Sequence, residues 1–521
     1  MINIKVQDRI VCTDPRAECI LTPDKGLGLF ATEAIKAGEN VFEITACFAS
    51  VLNRERLADT CSNCFSSVDE DVNPVKLSVC SRCRVVKYCG MRCQAESWAS
   101  SHKKECKIYK KLYPNILPTN SRAVARMMLQ PDEPGHKTMH QQHVEAMGTL
   151  SHHLKEMNER DDGQIDRVCI SGEGLKAILD SPRSRDEFTL QFAKLETNAF
   201  TLTNRYFEPI GLCILPFASY INHSCDPNAY IGFDGRLMYL KALRDLKPRE
   251  QIYISYIDNT YPYERRQEEL DTRYFFTCKC PKCLKGNKAR EDKFLKGAGN
   301  DPDIELAYRQ VDMLLAHSSQ PEQTPASSIR RTESAIGCLQ KTGKWPITRQ
   351  PYPRLVDDSI LGYLDSKQYK SAFVFATLRY LQIDPVVYPN KLHPIRRRNT
   401  YALAKLTLLF SHCFEGADGI EGDATVDKSH QKLEKYHLHY SLVYYSLLCE
   451  LVETASPGLG LTAMLTRNIN DVKIEFAKNG LVPEKMKKEI DEEWKKMAKI
   501  ADNEPRKFSI YDEEFSVEDY L

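Results

Sequence analysis

Apolar and polar residues alternate along the first stretch of the chain, from Asn3 to Val11 and again from Gly38 to Cys47, around a glycine turn, Lys25-Gly26-Leu27-Gly28. Alternation with period two belongs to half-buried strands, so residues 1–57 predict a small β region. Mixed helical patterns follow to about Leu195, broken by a polar loop around Pro131 to His140. Short β-rich runs then return at Ile210 to Pro216, Leu237 to Lys241 and Gln251 to Tyr256, separated by Asn, Asp, Gly and Pro. The pattern therefore predicts one β domain split by a long insertion. Beyond about Leu295 the period becomes that of a helix. Ile304, Ala307, Tyr308, Val311, Leu314 and Leu315 form one stripe, Tyr369, Ala372, Phe373, Ala376 and Tyr380 a second, and Leu433, Tyr436, Tyr440, Val443, Tyr444 and Leu447 a third.

Composition narrows this picture. The 521 residues carry a net charge of +1, with 27% charged and 42% hydrophobic residues, which is ordinary for a globular protein, gives no sign of a nucleic-acid-coating or membrane-bound chain and leaves room for several domains. No apolar run is long enough to span a membrane, and the start lacks a basic region followed by an apolar core, so a cytoplasmic and nuclear protein is expected. In such a reducing compartment the 19 cysteines point to metal rather than to disulfides. Their spacing supports that reading: Cys61 with Cys64, Cys80 with Cys83, Cys89 with Cys93, and His102 with Cys106 make four ligand pairs in under fifty residues. Eight ligands serve two closed tetrahedral zincs, each able to supply folding energy on the order of 10 kcal/mol to a segment poor in large apolar side chains. Cys278, Cys280 and Cys283 are three further ligands, for which Cys225 is the candidate fourth. The remaining cysteines, 12, 19, 47, 169, 213, 338, 413 and 449, read as packing residues.

The ligand order, with Tyr88-Cys89 and Trp98-Ala-Ser-Ser-His102, resembles the MYND finger; a RING finger places its histidine mid-pattern instead. By that resemblance Cys61, Cys64, Cys89 and Cys93 hold one zinc, and Cys80, Cys83, His102 and Cys106 hold the other. Asn222-His-Ser-Cys-Asp-Pro-Asn228, Gln251-Ile-Tyr-Ile-Ser-Tyr256 and the Lys25–Gly28 turn resemble the SET domain. Together they identify the chain as similar to the SET-and-MYND-domain lysine methyltransferases. The resemblance implies an α+β fold: a split SET β-fold with an inserted MYND zinc finger, a post-SET zinc site and a C-terminal all-α helical domain of tetratricopeptide type. Its expected division is 1–60 and 196–257 for the two SET parts, 61–106 for the finger, 107–195 for a helical insertion, 258–290 for the post-SET segment and 295–521 for the helical domain.

The same resemblance implies S-adenosylmethionine as cofactor, beside three zinc ions. Lys25, Gly26, Leu27, Gly28, His153, Asn198, Asn222, His223, Tyr256, Tyr274 and Phe276 are the expected cofactor residues. Tyr256 and Tyr274 are expected at the methyl-transfer centre, and Phe200 with Tyr256 along the lysine channel. The chemistry explains such a set: a lysine amine has a pKa near 10.4, so presenting it neutral at pH 7 costs roughly 4 to 5 kcal/mol, which desolvation and oriented hydroxyls must offset. One departure stands out. The family's turn before the last strand is Gly-Glu-Glu, whereas this chain has Arg249-Glu250-Gln251. The competing class is an adaptor that has lost turnover and recruits protein partners through the finger and the helices. Residues 75–112 hold ten Lys or Arg against two Asp or Glu, a charge that admits nucleic acid as a partner without requiring it. A monomer acting on a protein lysine is the expected working form.

Overall fold

The computed structural model describes residues 16–22, 25–45, 49–68, 75–129, 145–160, 162–288, 301–316, 324–415, 433–455 and 459–503. The strand expected over Asn3 to Val11, the polar loop, Cys12, Cys47, the side chain of Cys413 and the last ten residues lie outside them. The chain divides into two compact units, one of Met1–Ile257, Gln267–Pro281 and Leu459–Leu461, the other of Asp258–Arg266, Lys282–Gly458 and Thr462–Leu521.

In the first unit four strands come early: β1 (Ala17–Thr22), β2 (Gly26–Ala31), β3 (Asn40–Ile44) and β4 (Ala49–Leu52). The cysteine-rich segment follows with β5 (Ser78–Val79), β6 (Lys87–Tyr88), α1 (Met91–Ser97) and α2 (Lys103–Leu112). Next come α3 (Thr119–Met128), α4 (Leu154–Arg160), α5 (Gln164–Leu179) and α6 (Arg185–Asn198). The later strands are β7 (Phe200–Thr203), β8 (Pro209–Ile214), β9 (Asn222–His223), β10 (Ala229–Asp234), β11 (Leu237–Ala242) and β12 (Gln251–Ile254); α7 (Tyr263–Tyr274) and α8 (Pro281–Leu284) follow, each with residues in both units.

Early and late strands share sheets, as a split domain requires. Their orders are β1-β2-β12-β9, β10-β11-β3 and β4-β8-β7, and among the described residues only the β12–β9 pair is parallel. Alternation sets the burial: Ile252 and Ile254 of β12 go inside while Gln251 and Tyr253 stay half-exposed on the other face. The strand stops at Ile254, two residues short of the expected Tyr256, because the Tyr256 amide donates to a side chain instead of to the ladder. Helix α6 starts on a capping box, in which Ser184 Oγ accepts from Glu187 N and Glu187 reaches back to Ser184 N. Its last residue is Asn198; Ala199 turns extended at ψ 147°, and β7 begins at Phe200.

The second unit is helical: α9 (Pro302–Ala316), α10 (Pro325–Lys341), α11 (Tyr352–Asp365), α12 (Tyr369–Leu378), α13 (Asp384–Val387), α14 (Pro394–Glu415), α15 (Tyr440–Glu453), α16 (Gly460–Lys478) and α17 (Lys487–Asn503). Successive helices α9 to α12 pack pairwise, α14 packs on α15, and α12 also meets α14 and α17. The stripes supply the core: Ile304, Ala307 and Val311 are buried on α9, Ala372, Phe373 and Ala376 on α12. The third stripe is not one helix. Leu433–Tyr436 is a single 3-10 turn, His437 takes φ +45°, and α15 starts only at Tyr440, because the intervening backbone bonds elsewhere: Lys496 Nζ donates to His437 O and His439 N donates to Glu493.

Candidate active site and metal centres

Three groups of buried or half-buried ligand atoms form, each with its members within 4.8 Å of one another: Cys61, Cys64, Cys89 and Cys93; Cys80, Cys83, His102 and Cys106; and Cys225, Cys278, Cys280 and Cys283. These are the three sets expected from the sequence. A tetrahedral zinc with sulfur ligands at about 2.3 Å has edges of roughly 3.8 Å. Cys64 and Cys89 lie 3.6 Å apart, Cys89 and Cys93 3.5 Å, Cys80 and Cys106 3.9 Å, and Cys83 Sγ lies 3.7 Å from His102 Nε2. Donor chemistry and spacing both fit zinc, and the three groups accommodate three ions. The third is braced from α7, where Gln267 accepts from the amide of Cys278 at 2.8 Å and donates to its carbonyl at 3.1 Å.

Sheet order builds the centre where the methyl donor is expected. β12 lies between β2 and β9, pairing Ile252 with Leu29 on one side and Tyr253 with Asn222 on the other. Lys25 to Gly28, Gln251 and Asn222-His223 thus come together although the turn is more than 190 residues from the other two in sequence. Gly26 has φ +68°, and a Cβ on Gly28 would stand 2.4 Å from Gln251 Nε2 and 3.0 Å from Asn222 Nδ2, so both glycines are demanded locally. Asn222 Nδ2 donates to Leu27 O at 3.1 Å, while the buried Nε2 of Gln251 has no hydrogen-bond partner among the described residues. A glycine cradle with an unspent donor beside it fits the close approach of a polar cofactor.

His223 knits the centre together. Its Nδ1 accepts from Tyr256 N at 3.0 Å, which leaves the proton of the neutral ring on Nε2, 3.2 Å from Cys225 Sγ. The histidine joins a metal ligand to the tyrosine backbone and is no free base. Tyr256 donates its hydroxyl to Ile221 O at 2.5 Å, and Tyr274 donates to Tyr256 O at 3.3 Å, the two rings 4.9 Å apart. Phe276 closes the cluster, 5.9 Å from the ring of His223 and 6.5 Å from that of Tyr256. Burial, and then the neighbouring Tyr274, push the Tyr256 phenol well above the ordinary tyrosine value; burial raises Tyr274 too. Both stay protonated hydroxyls at neutral pH.

A second cluster surrounds His153, which sits at φ +51° just ahead of α4, its ring stacked on Phe275 at 4.8 Å. Asn198 Nδ2 donates to Ser151 O at 2.9 Å, so the side chain expected at the cofactor holds the segment that carries His153. Lys194, on the same helix and with its pKa lowered by burial, points its ammonium at the carbonyls of Met147 and Gly148. Phe200 lines a cavity of about 550 Å³ with Leu195, Ala199, Leu212 and Gln164, on whose wall Arg167 and Glu196 pair through two hydrogen bonds of 3.1 and 2.9 Å.

Sequence reasoning passed over Gln251, Tyr253 and Phe275. Lys25 Nζ lies 4.9 Å over the Tyr253 ring, and the period-two pattern of β12, which sets Tyr253 on the half-exposed face with Gln251, was the available signal. Phe275, at φ +61°, had no such signal. Arg249, the departure from the family turn, takes φ +65°, the conformation a glycine there would adopt, and keeps the turn intact through Arg249 N to Ala31 O at 2.8 Å.

Residues 26–257 match the SET domain family. The chain is 28% identical over 392 residues to SET domain and MYND-type zinc finger protein 6 of Schizosaccharomyces pombe, covering 75% of this chain and 72% of that protein. It is 30% identical to N-lysine methyltransferase SMYD2 of Sus scrofa, covering 57% and 67%, and 29% identical to histone-lysine N-methyltransferase SMYD3 of Homo sapiens, covering 58% and 69%.

Proposed function

We propose that this chain, which belongs to the SET-and-MYND-domain family of lysine methyltransferases, transfers methyl groups from S-adenosylmethionine to the side-chain amine of lysine in a protein substrate. The observation that carries the reading is the convergence of Gly26–Gly28, Asn222-His223, Tyr256, Tyr274 and Phe276 through one sheet and one histidine. When bound, the cofactor supplies an electrophilic methyl on a positively charged sulfur. The protein's part is to bind, orient and desolvate. Gly28 and Asn222 shape a turn that admits close backbone approach, and Gln251 Nε2 offers a donor there. Tyr256 and Tyr274, kept as neutral hydroxyls, cannot take the lysine proton; they orient the lone pair of an amine already deprotonated by desolvation in the channel. The lone pair so oriented would be free for the methyl group that the bound cofactor would supply.

Phe200 and the cavity beside it support a path for the lysine side chain and its flanking peptide. The division into SET parts, finger, insertion, post-SET segment and helical domain belongs to the same reading, with protein partners meeting the finger and the helices. No helix among the described residues is long and apolar enough to cross a membrane, and cytoplasm and nucleus are the proposed compartments. The test is cofactor binding by calorimetry, followed by transfer of labelled methyl to lysate proteins read by mass spectrometry. Methyl-lysine on defined proteins is expected. Cofactor binding without any transfer overturns the reading in favour of the adaptor.

A further inference from the structure

The second zinc group in the finger is the more deeply buried, all four ligands lying inside. Its imidazole presents Nε2 to Cys80 Sγ at 3.4 Å and to Cys83 Sγ at 3.7 Å, so with the metal on Nε2 the ring proton must sit on Nδ1. That atom is buried, makes no hydrogen bond among the described residues, and faces Glu105 Oε2 at 3.9 Å. Helical spacing puts the carboxylate there, three residues beyond the histidine on the same side of the helix.

Glu105 is itself 1% exposed, and a carboxylate so deep needs a cation. Arg126 on α3 supplies one as a fork, Nε to Oε1 at 2.6 Å and Nη2 to Oε2 at 3.0 Å. Its remaining nitrogen, Nη1, donates to Ser50 O on β4. One turn earlier on α3, Arg122 Nη2 donates to Leu52 O at 2.6 Å. The match is geometric: four helix residues advance about 6 Å and two strand residues about 6.6 Å, so arginines at i and i+4 meet alternate carbonyls of a strand. β4 is the end strand of its sheet, paired to β8 on one side only, and these donors close its free edge. β8 in turn pairs with β7, whose first residue is Phe200.

We propose that Glu105 and Arg126 are positioning residues: Glu105 orients His102 for its zinc, and the Glu105–Arg126 pair ties that zinc site to the edge of the sheet that carries Phe200. The proposal rests on zinc as the metal of the finger and adds a route by which metal at a remote site holds the lysine channel in place.

The test uses full-length zinc-loaded protein, a chelator titration of zinc per chain, and hydrogen exchange of β4 amides with β1 as control. Glu105→Gln keeps the shape and removes the charge. One zinc of the three should then leave at roughly 10- to 100-fold lower chelator activity, with faster exchange at Ser50–Leu52 and none gained at Ala17–Thr22. Arg126→Lys keeps the charge without the fork and should give the exchange change with a smaller zinc effect. Wild-type protein provides the arm that needs no variant to fold: exchange at Ser50–Leu52 should rise in step with the first finger zinc released. Glu105→Gln that keeps all three zincs at wild-type chelator activity overturns the proposal, as does wild-type zinc release with β4 exchange unchanged. A wild-type finger that carries no zinc at all sinks the metal reading instead, a distinguishable failure.

Discussion

Tyr256 hydrogen-bonds through its hydroxyl to Ile221 O while its amide is held by His223, so ring and oxygen have separable roles. Tyr256→Phe removes the oxygen and keeps the packing. Methyl transfer is expected to fall by about a hundredfold, near 3 kcal/mol in the transition state, with cofactor affinity by calorimetry unchanged. Wild-type turnover in that variant would remove the hydroxyl from the mechanism and leave Tyr274 as the candidate. Arg249 presents the opposite case, a residue in a conformation its side chain disfavours. A left-handed backbone costs a non-glycine residue roughly 1 to 2 kcal/mol, partly returned by the smaller entropy of its unfolded state. Arg249→Gly should therefore raise stability by about 0.5 kcal/mol, read as a higher denaturant midpoint with unchanged slope; a lower midpoint would show that the exposed side chain makes a contact of value. Tyr256 and Asn222 came forward in the sequence through motifs that resemble the SET domain, Asn222–Asn228 and Gln251–Tyr256. Gln251, by contrast, matters through a contact with Gly28 across more than 220 positions, and nothing local announces such a contact.

Elements add what single residues cannot. The Lys25–Gly28 turn works because β12 delivers Gln251 against β2 and parallel to β9, so its glycine is constrained by a neighbour rather than by its own strand. Gly28→Ala should weaken S-adenosylmethionine binding at least tenfold, on the order of 1.4 kcal/mol, as Gln251 and Asn222 are displaced; an unchanged calorimetric affinity would show that the side chains yield without cost. The segment from α7 to α8 is similarly tied, its Tyr274 and Phe276 ending two residues before Cys278. Cys278→Ser should lower activity sharply and leave the finger's two zincs in place, measured by metal analysis beside turnover. Loss of all three metals together would contradict that separation. Strand and helix identity were readable from periodicity, but their ends were not: β12 stops where His223 captures the next amide, and the third helical stripe breaks where Glu493 and Lys496, more than fifty residues away, claim the backbone.

On the scale of the whole molecule, the metal groups differ in how far along the chain they reach. Metal analysis of the intact protein should give three zincs per chain, and two or fewer at full loading would count against the group containing Cys225. The three groups could be proposed from cysteine spacing, helped by the family resemblance, since paired ligands leave a local mark. The Glu105–Arg126 fork left none, because its partners meet only after α2 and α3 have folded. Both finger groups close within residues 61–106, whereas the third joins Cys225 to Cys283, and β2 must wait for β12 before its sheet is complete. This distance imposes an order on biosynthesis. A nascent chain carries all eight finger ligands once Cys106 has emerged, but its third metal group cannot close until the codon for Cys283 has been read and the residue has cleared the exit tunnel. Stalled chains ending in the insertion should hold two zincs and no cofactor, and chains extended well past Cys283 should hold three zincs and bind S-adenosylmethionine. Until then the growing polypeptide lacks a ligand of its third metal group, however many ligands of the first two it already carries.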